Sequence, residues 1–239
     1  MGYVDLHAHV LPALDDGVKE LPAALAVLGA LEEMGYDAVY ATPHQRVNFY
    51  VPSREDIGRA HEQVRAALAR HGRRIELHLG AENFWDELFL SRAHRKEQPR
   101  YTGGSAFLFE LPVNTTPPRL EETLFHFRVG GALPVMAHPE RYAPFWSHPE
   151  RYEDVRKTAA LLVDLGALEG AHGKRQCQAA RRLVEEGLAH AVASDVHSIE
   201  DAEEAQKGIA WIRKRLGDPA VKRLLDENPR RILQGDLPD

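Results

Sequence analysis

Near its start the chain reads Asp5-Leu6-His7-Ala8-His9, with a polar side chain at every second position. In a strand, that spacing turns all three to one face, where two imidazoles can share a metal ion. Residues of the same chemistry recur further on. Asp16 stands in Asp15-Asp16-Gly17, His44 closes Ala41-Thr42-Pro43-His44, and Glu82 closes Gly80-Ala81-Glu82. Glu110 and His138 each follow an apolar run, and Ser194-Asp195-Val196-His197 carries the last pair. Taken singly, most have ordinary explanations. A carboxylate after a strand is usually a helix cap or a solvated loop residue, and Asp-Asp-Gly is usually a turn. Mixed imidazole and carboxylate without thiolate suits Mn2+, Fe2+ or Zn2+ in a catalytic role rather than a structural zinc. The donors are too many for one ion. Two or three divalent ions are expected, manganese first, with iron and zinc as alternatives.

What must position these groups is an alternation of short apolar runs with helical patterns. Runs at Tyr3–Leu6, Ala38–Ala41, Ile75–Leu79, Ala106–Phe109, Leu133–Ala137, Leu161–Leu165 and His190–Ala193 predict seven strands. Pro22 in a first turn, a stripe of Leu21, Leu25 and Leu28, and a stop at Gly35 predict one helix. Ser53 with Asp56 starts another, which runs through Ile57, Ala60, Val64 and Leu68 to Gly72. Gly173–Glu186 and Ile199–Leu216 read as further helices, and Asn228-Pro229 opens a short last one. Alternation of this kind argues a parallel sheet, open or closed into a barrel, with residues 1–239 as one domain. In such a barrel, working groups collect at the C-terminal ends of the strands. Six of the seven runs end there in His or a carboxylate, which independent accidents would not produce.

Composition narrows the classes. With 44% hydrophobic residues there is apolar material for one sizeable core. A net charge of −6 argues against a general nucleic-acid binder, which needs a basic surface. No apolar run approaches the ~20 residues of a membrane span, so no membrane insertion is expected. No basic region followed by an apolar stretch opens the sequence, and a single cysteine suits a reducing compartment. A cytoplasmic protein is expected.

The ordered segments "DLHAHVLPALDDG", "ATPH", "GAENF", "FELP", "AHPERY" and "ASDVHS" resemble the PHP-type bacterial tyrosine-protein phosphatases encoded with capsular and exopolysaccharide genes. The likeness spans essentially the whole chain. It implies an α/β fold, a distorted (β/α)7 TIM-like barrel of the PHP type holding three metals. On that resemblance His7, His9, Glu82 and Asp195 would hold the first ion. Glu82, Glu110 and His138 would hold the second, and Asp16, His44 and His197 the third. Arg141 matches an arginine associated with the phosphate. The implied activity is metal-dependent hydrolysis of phosphotyrosine, with a tyrosine-kinase tail as the protein substrate and self-association left open. Metals can activate a bridging water and hold phosphoryl oxygens for in-line attack, while His44 or Asp195 protonates the leaving oxygen. Two departures touch substrate binding: an arginine usual after the Ser-Asp-x-His motif is missing from Ser198–Ala202, and Gln45 replaces a second histidine.

Rival readings remain distinct. A small-molecule phosphatase of the histidinol-phosphate kind would use the same metals. An amidohydrolase usually bridges its metals with a strand-end lysine, where this chain has Glu82 and Glu110. A non-catalytic module that binds a kinase tail needs no intact ligand set. A cysteine phosphatase needs Cys-x5-Arg, and Leu183 stands six residues after Cys177. Finally, His138-Pro-Glu-Arg-Tyr142 recurs as His148-Pro-Glu-Arg-Tyr152. The first copy ends a strand and should face the ligands. The second should start a helix, with Arg151 solvated.

Overall fold

The computed structural model describes residues 2–239. Its strands are β1 (Tyr3–Ala8), β2 (Tyr36–Ala41), β3 (His44–Gln45), β4 (Glu76–Leu79), β5 (Glu82–Phe84), β6 (Ala106–Glu110), β7 (Leu133–Ala137), β8 (Ala160–Asp164) and β9 (Ala191–Ala193). Every strand pairing is parallel. One sheet runs β1-β2-β4 and the other β3-β5-β6-β7-β8-β9. Two seams join them. At one, His9 N–H donates to Val196 O at 2.9 Å and Asp195 N–H to His7 O at 2.9 Å, which brings β1 beside β9. At the other, β2 continues into β3 and β4 into β5 across short breaks, bridged by Gly80 N–H to Ala41 O at 2.8 Å and Glu82 N–H to Pro43 O at 3.2 Å.

The result is a distorted (β/α)7 barrel of seven strand lines, two of them broken. The breaks have local causes. Pro43 has no N–H for the ladder. Gly80 is pressed by the Tyr101 ring, so that a Cβ there would come within 2.8 Å of it. His44 and Glu82, read as ending the second and third runs, sit in short strands of their own beyond the breaks. The predicted ends shift by one or two residues: Ile75, Leu165 and His190 fall just outside their strands, while β1, β2 and β6 run longer than expected.

Side chains alternate across the wall. Ala106, Leu108, Leu133, Val135, Ala137, Ala160, Leu162, Ala191 and Ala193 pack in one cluster that fills the barrel. Phe107, Phe109, Met136, Leu161, Val163 and Val192 belong to the other, beneath the surrounding helices. These inward side chains pack the barrel interior as a core rather than a pore. Helices α1 (Leu21–Met34), α2 (Arg54–Arg70), α3 (Glu87–His94), α4 (Leu120–Val129), α5 (Ala143–Ser147), α6 (Glu150–Val155), α7 (Lys174–Glu185) and α8 (Ile199–Leu216) surround it. Their ends follow the sequence signals. Gly35 caps α1 at φ 102°, Ser53 accepts Asp56 N–H at the start of α2, and Ser198 accepts Asp201 N–H at the start of α8. No helix of the described residues is long and apolar enough to cross a membrane.

Candidate metal centre

The inward alternation supplies part of the site directly. Ala106 and Leu108 lead to Glu110, Ala160 and Leu162 to Asp164, Ala191 and Ala193 to Asp195. His138 is out of phase with Leu133, Val135 and Ala137, and its backbone compensates by turning left-handed at φ 32°. Asp195 is also left-handed, at φ 49°. Two non-glycine residues held at positive φ in one site mark backbone strain that the surrounding fold must sustain. In β1 the register shifts between Asp5 and Ala8. His7 and His9 both reach the site, but Asp5 does not join them, contrary to the simple period of two. It is fully buried against the Ser194 hydroxyl and backbone, and burial lifts its carboxyl to about 6 despite those hydrogen bonds.

All nine expected donors lie in one connected cluster. His7 Nε2 is 3.2 Å from Glu82 Oε2 and 3.2 Å from Asp195 Oδ1. His9 Nε2 is 3.3 Å from Glu82 Oε2, and His138 Nε2 is 2.8 Å from Glu82 Oε1. His44 Nδ1 stands 2.9 Å from Glu82 Oε2 and 3.4 Å from Glu110 Oε1, and its Nε2 is 3.3 Å from Asp16 Oδ1. His197 Nε2 is 3.7 Å from the same Asp16 oxygen, and its ring stacks on His9 with centroids 4.1 Å apart. Three groups have donor atoms mutually within 4.8 Å: His9, Asp16, His44 and His197; His7, His9 and Asp195; and His44, Glu82 and Glu110. Glu82 stands at the middle of the set.

The donor set fits divalent ions. Buried His44 Nδ1 and Glu110 Oε1 lie close together, yet neither makes a well-formed hydrogen bond. Atoms so placed suit a shared cation better than each other. The charges are tightly interlocked. Burial would lower the His44 pKa, but Glu82, Asp16 and Glu110 outweigh it and push it up. Burial would raise Asp195, but His7 and Arg141 hold it well below the usual carboxylate range. The hydrogen bond from His44 holds Asp16 down at about 2.

Several supporting residues escaped the sequence reading. Asp15, read as part of a turn, faces His9 Nδ1 at 2.8 Å and also accepts His44 N–H and Gly17 N–H. It thereby sets the orientation of a ligand-type imidazole. Gly17 is required there, since a Cβ would lie 2.3 Å from His9 O. The Tyr142 hydroxyl lies 3.3 Å from His138 Nδ1 and donates to Ala137 O at 2.9 Å. Asp164 ends the one strand credited with no polar terminus. The predicted end at Leu165 had hidden it, and the alternation from Ala160 would have revealed it.

Arg141 sits at the edge of the cluster. Its Nη2 is 2.6 Å from Asp164 Oδ2 and 2.6 Å from Asp195 Oδ2, with His172 Nε2 3.1 Å away. The two copies of the repeated motif do separate. His138 is buried in the cluster, while the His148 side chain is 65% exposed and pairs with Glu150 at the start of α6. Arg151, expected to be solvated, is not. It donates to Thr116 Oγ1 at 2.9 Å and Glu121 Oε1 at 2.7 Å and lies over Phe145, because the α6 turn directs it onto α4 rather than into water. Gln45 is buried and accepts from Arg92 at 2.8 Å. Cys177 is a partly buried free thiol 3.4 Å from Leu168 O.

Fold and site together define a metallohydrolase-type barrel, with imidazoles and carboxylates converging where its strands end. Residues 3–234 match the family described as "Capsular polysaccharide synthesis, CpsB/CapC", and the chain belongs to that family. It is 29% identical to the tyrosine-protein phosphatase YwqE of Bacillus subtilis, over 97% of this chain and 91% of that protein. It is 26% identical to the tyrosine-protein phosphatase CpsB of Streptococcus pneumoniae, over 98% and 99% respectively. Among solved structures, it superposes with a TM-score of 0.87 on one described with the crystal structures of YwqE and CpsB as "unique metal-dependent tyrosine phosphatases". That match has 27% identity and covers 96% of this chain and 94% of the other.

Proposed function

We propose that the chain is a metal-dependent protein-tyrosine phosphatase that acts in the cytoplasm, as one catalytic domain over residues 1–239, on the tyrosine-phosphorylated tail of a kinase involved in capsule or exopolysaccharide synthesis. The observation that carries this reading is the convergence of eight imidazole and carboxylate donors, joined by His138 through Glu82, beside Arg141, with the chain's only cysteine outside the cluster. His7, His9, Glu82 and Asp195 would hold one ion, and Glu82, Glu110 and His138 a second. Asp16, His44 and His197 would hold a third. Mixed imidazole and carboxylate suits manganese, iron or zinc, and manganese is the ion proposed. Ions bound there supply an activated water and neutralise charge developing on the phosphoryl oxygens.

The chain's own groups do the rest. Arg141 turns toward a bound phosphoryl group by loosening its hold on Asp195, while Asp164 retains it from behind. Asp15 and Tyr142 hold the His9 and His138 rings in place. Of the two proton donors considered, Asp195 fits poorly, because His7 and Arg141 keep it ionised. His44 reaches the site mouth beside Asp16, with its Nε2 3.3 Å from Asp16 Oδ1. A nitrogen that carries a proton cannot also hold an ion, so His44 at Nε2 serves as acid only if the third ion is absent.

The test is metal analysis of purified protein combined with turnover of a phosphotyrosine peptide against histidinol phosphate. Preference for the peptide supports the reading. Preference for histidinol phosphate would make the chain a small-molecule phosphatase, and turnover of neither would leave a non-catalytic binding module.

A further inference from the structure

His44 opposes Glu82 in the register of β3 and β5. Phe84, two residues further along β5, and Arg46, just past the end of β3, come next toward the mouth. The Arg46 guanidinium lies 4.1 Å from the centroid of the Phe84 ring. The Phe49 ring centroid lies 4.2 Å away, so two aromatic rings pack against the guanidinium. Among the described residues the Arg46 side chain has no ion pair and no hydrogen bond, although the cluster just beneath it is rich in carboxylates.

The segment that presents it is rigid. Arg46 N–H donates to Tyr50 O at 2.7 Å and Tyr50 N–H to Arg46 O at 3.0 Å, with Asn48 at φ 66° in the turn between. Val47 N–H donates to Asp86 Oδ2 at 2.9 Å, which ties the hairpin to the start of α3. Tyr50 stacks on His44 with centroids 5.9 Å apart. Phe49 is 65% exposed, so the stacked group lies at the surface. Stacking holds the guanidinium by its faces and leaves its N–H edge free to donate.

We propose that Arg46 is a substrate-binding residue: its N–H edge contacts non-bridging phosphoryl oxygens from the rim opposite Arg141. The proposal deepens the phosphatase reading and rests on it. An arginine fixed on each side of the mouth would orient the tetrahedral anion over the donor cluster. Phe49 and Tyr50 would then line the path of the substrate's aromatic ring.

The experiment uses manganese-loaded protein and compares wild type with Arg46→Ala and Arg46→Lys. Turnover is measured on para-nitrophenyl phosphate and a phosphotyrosine peptide, and affinity for inorganic phosphate by calorimetry. Arg46→Ala should lower kcat/KM about ten- to a hundredfold on both substrates and weaken phosphate binding to a similar degree, with Arg46→Lys intermediate. Loss on the peptide alone would overturn the proposal, since the contact would then be to a flanking acidic residue. Unchanged phosphate affinity in a folded, metal-loaded variant would also overturn it. If Arg46→Ala does not fold, Arg46→Lys carries the same comparison. If wild type turns over neither substrate, the phosphatase reading fails, while phosphate calorimetry still decides the role of Arg46.

Discussion

Asp195 divides its two oxygens between different partners. Oδ2 accepts from Arg141 Nη2 at 2.6 Å, while Oδ1 faces His7 and His9 at 3.2 and 3.5 Å. The arginine is thus joined to the donor cluster through a carboxylate, and whatever neutralises Asp195 frees Arg141 for another anion. This coupling explains how a half-buried cation can be both a structural partner and a phosphate ligand.

Arg141→Ala should therefore do two things. Loss of a charge-assisted contact worth ~1.5–3 kcal/mol should lower kcat/KM about ten- to a hundredfold. It also removes one partner of the buried Asp164 carboxylate, which keeps Gly166 N–H and the His172 ring, so stability should fall by ~1–3 kcal/mol. Arg141→Lys should recover much of the stability and less of the activity. Arg151→Ala, in the second copy, should lose about 1 kcal/mol with little change in kcat/KM. Thermal melts beside kinetics on one phosphotyrosine peptide separate these effects. Equal activity losses at Arg141 and Arg151 would mean that both copies serve the site.

A second prediction concerns ion content. Protein purified without chelator should carry two or three divalent ions per chain, and EDTA should abolish turnover. His138→Ala should lose an ion and nearly all activity, whereas His148→Ala should bind metal normally, because His148 faces solvent beside Glu150. A count of one ion in active wild-type protein would refute the assigned ligand sets. A count of two in fully active protein would favour His44 as the proton donor.

Much of this arrangement was legible because strand alternation and ligand chemistry point the same way. Glu110 and Asp195 continue the inward series of their strands, so apolar runs alone placed them. His138 was found by its position after a strand, but not by its phase, which only a left-handed backbone could correct. Asp15 and Asp164 were hidden for a different reason. Asp15 acts through His9 across a loop, and Asp164 through Arg141 across two strands, and neither contact leaves a mark in local spacing. The break at Pro43 follows from proline itself, whereas that at Gly80 depends on Tyr101, distant in sequence. The irregular β1 likewise separated Asp5 from His7 and His9 through its pairing with β2 and β9.

Cys177→Ser should keep wild-type phosphatase activity. The thiol sits on α7, its contact is Leu168 O, and no arginine follows at the spacing that a cysteine phosphatase requires. Loss of turnover with metal content and melting temperature unchanged would defeat the metal-dependent mechanism.

The last prediction concerns acid stability, and it turns on a histidine far from the donors. His190 is buried, and its Nδ1 accepts Leu161 N–H at 2.9 Å, which only the neutral ring can do. Burial, with Arg156 nearby, lowers its pKa from 6.5 to about 3. Between those values the unfolded chain binds a proton that the folded chain refuses, so acid favours unfolding. Stability from this residue is intact above pH 6.5 and falls by about 1.4 kcal/mol per unit as the pH drops toward 3. His190→Asn places an amide oxygen near the same acceptor position and does not titrate. The variant should be less stable than wild type at pH 7.5, because an imidazole's packing is lost, and the gap should narrow as pH falls from 6.5 to 5. Urea unfolding of both proteins at matched metal content measures that gap, since ligand protonation affects both alike. A gap that stays constant over this range would show that His190 takes up its proton in the folded state.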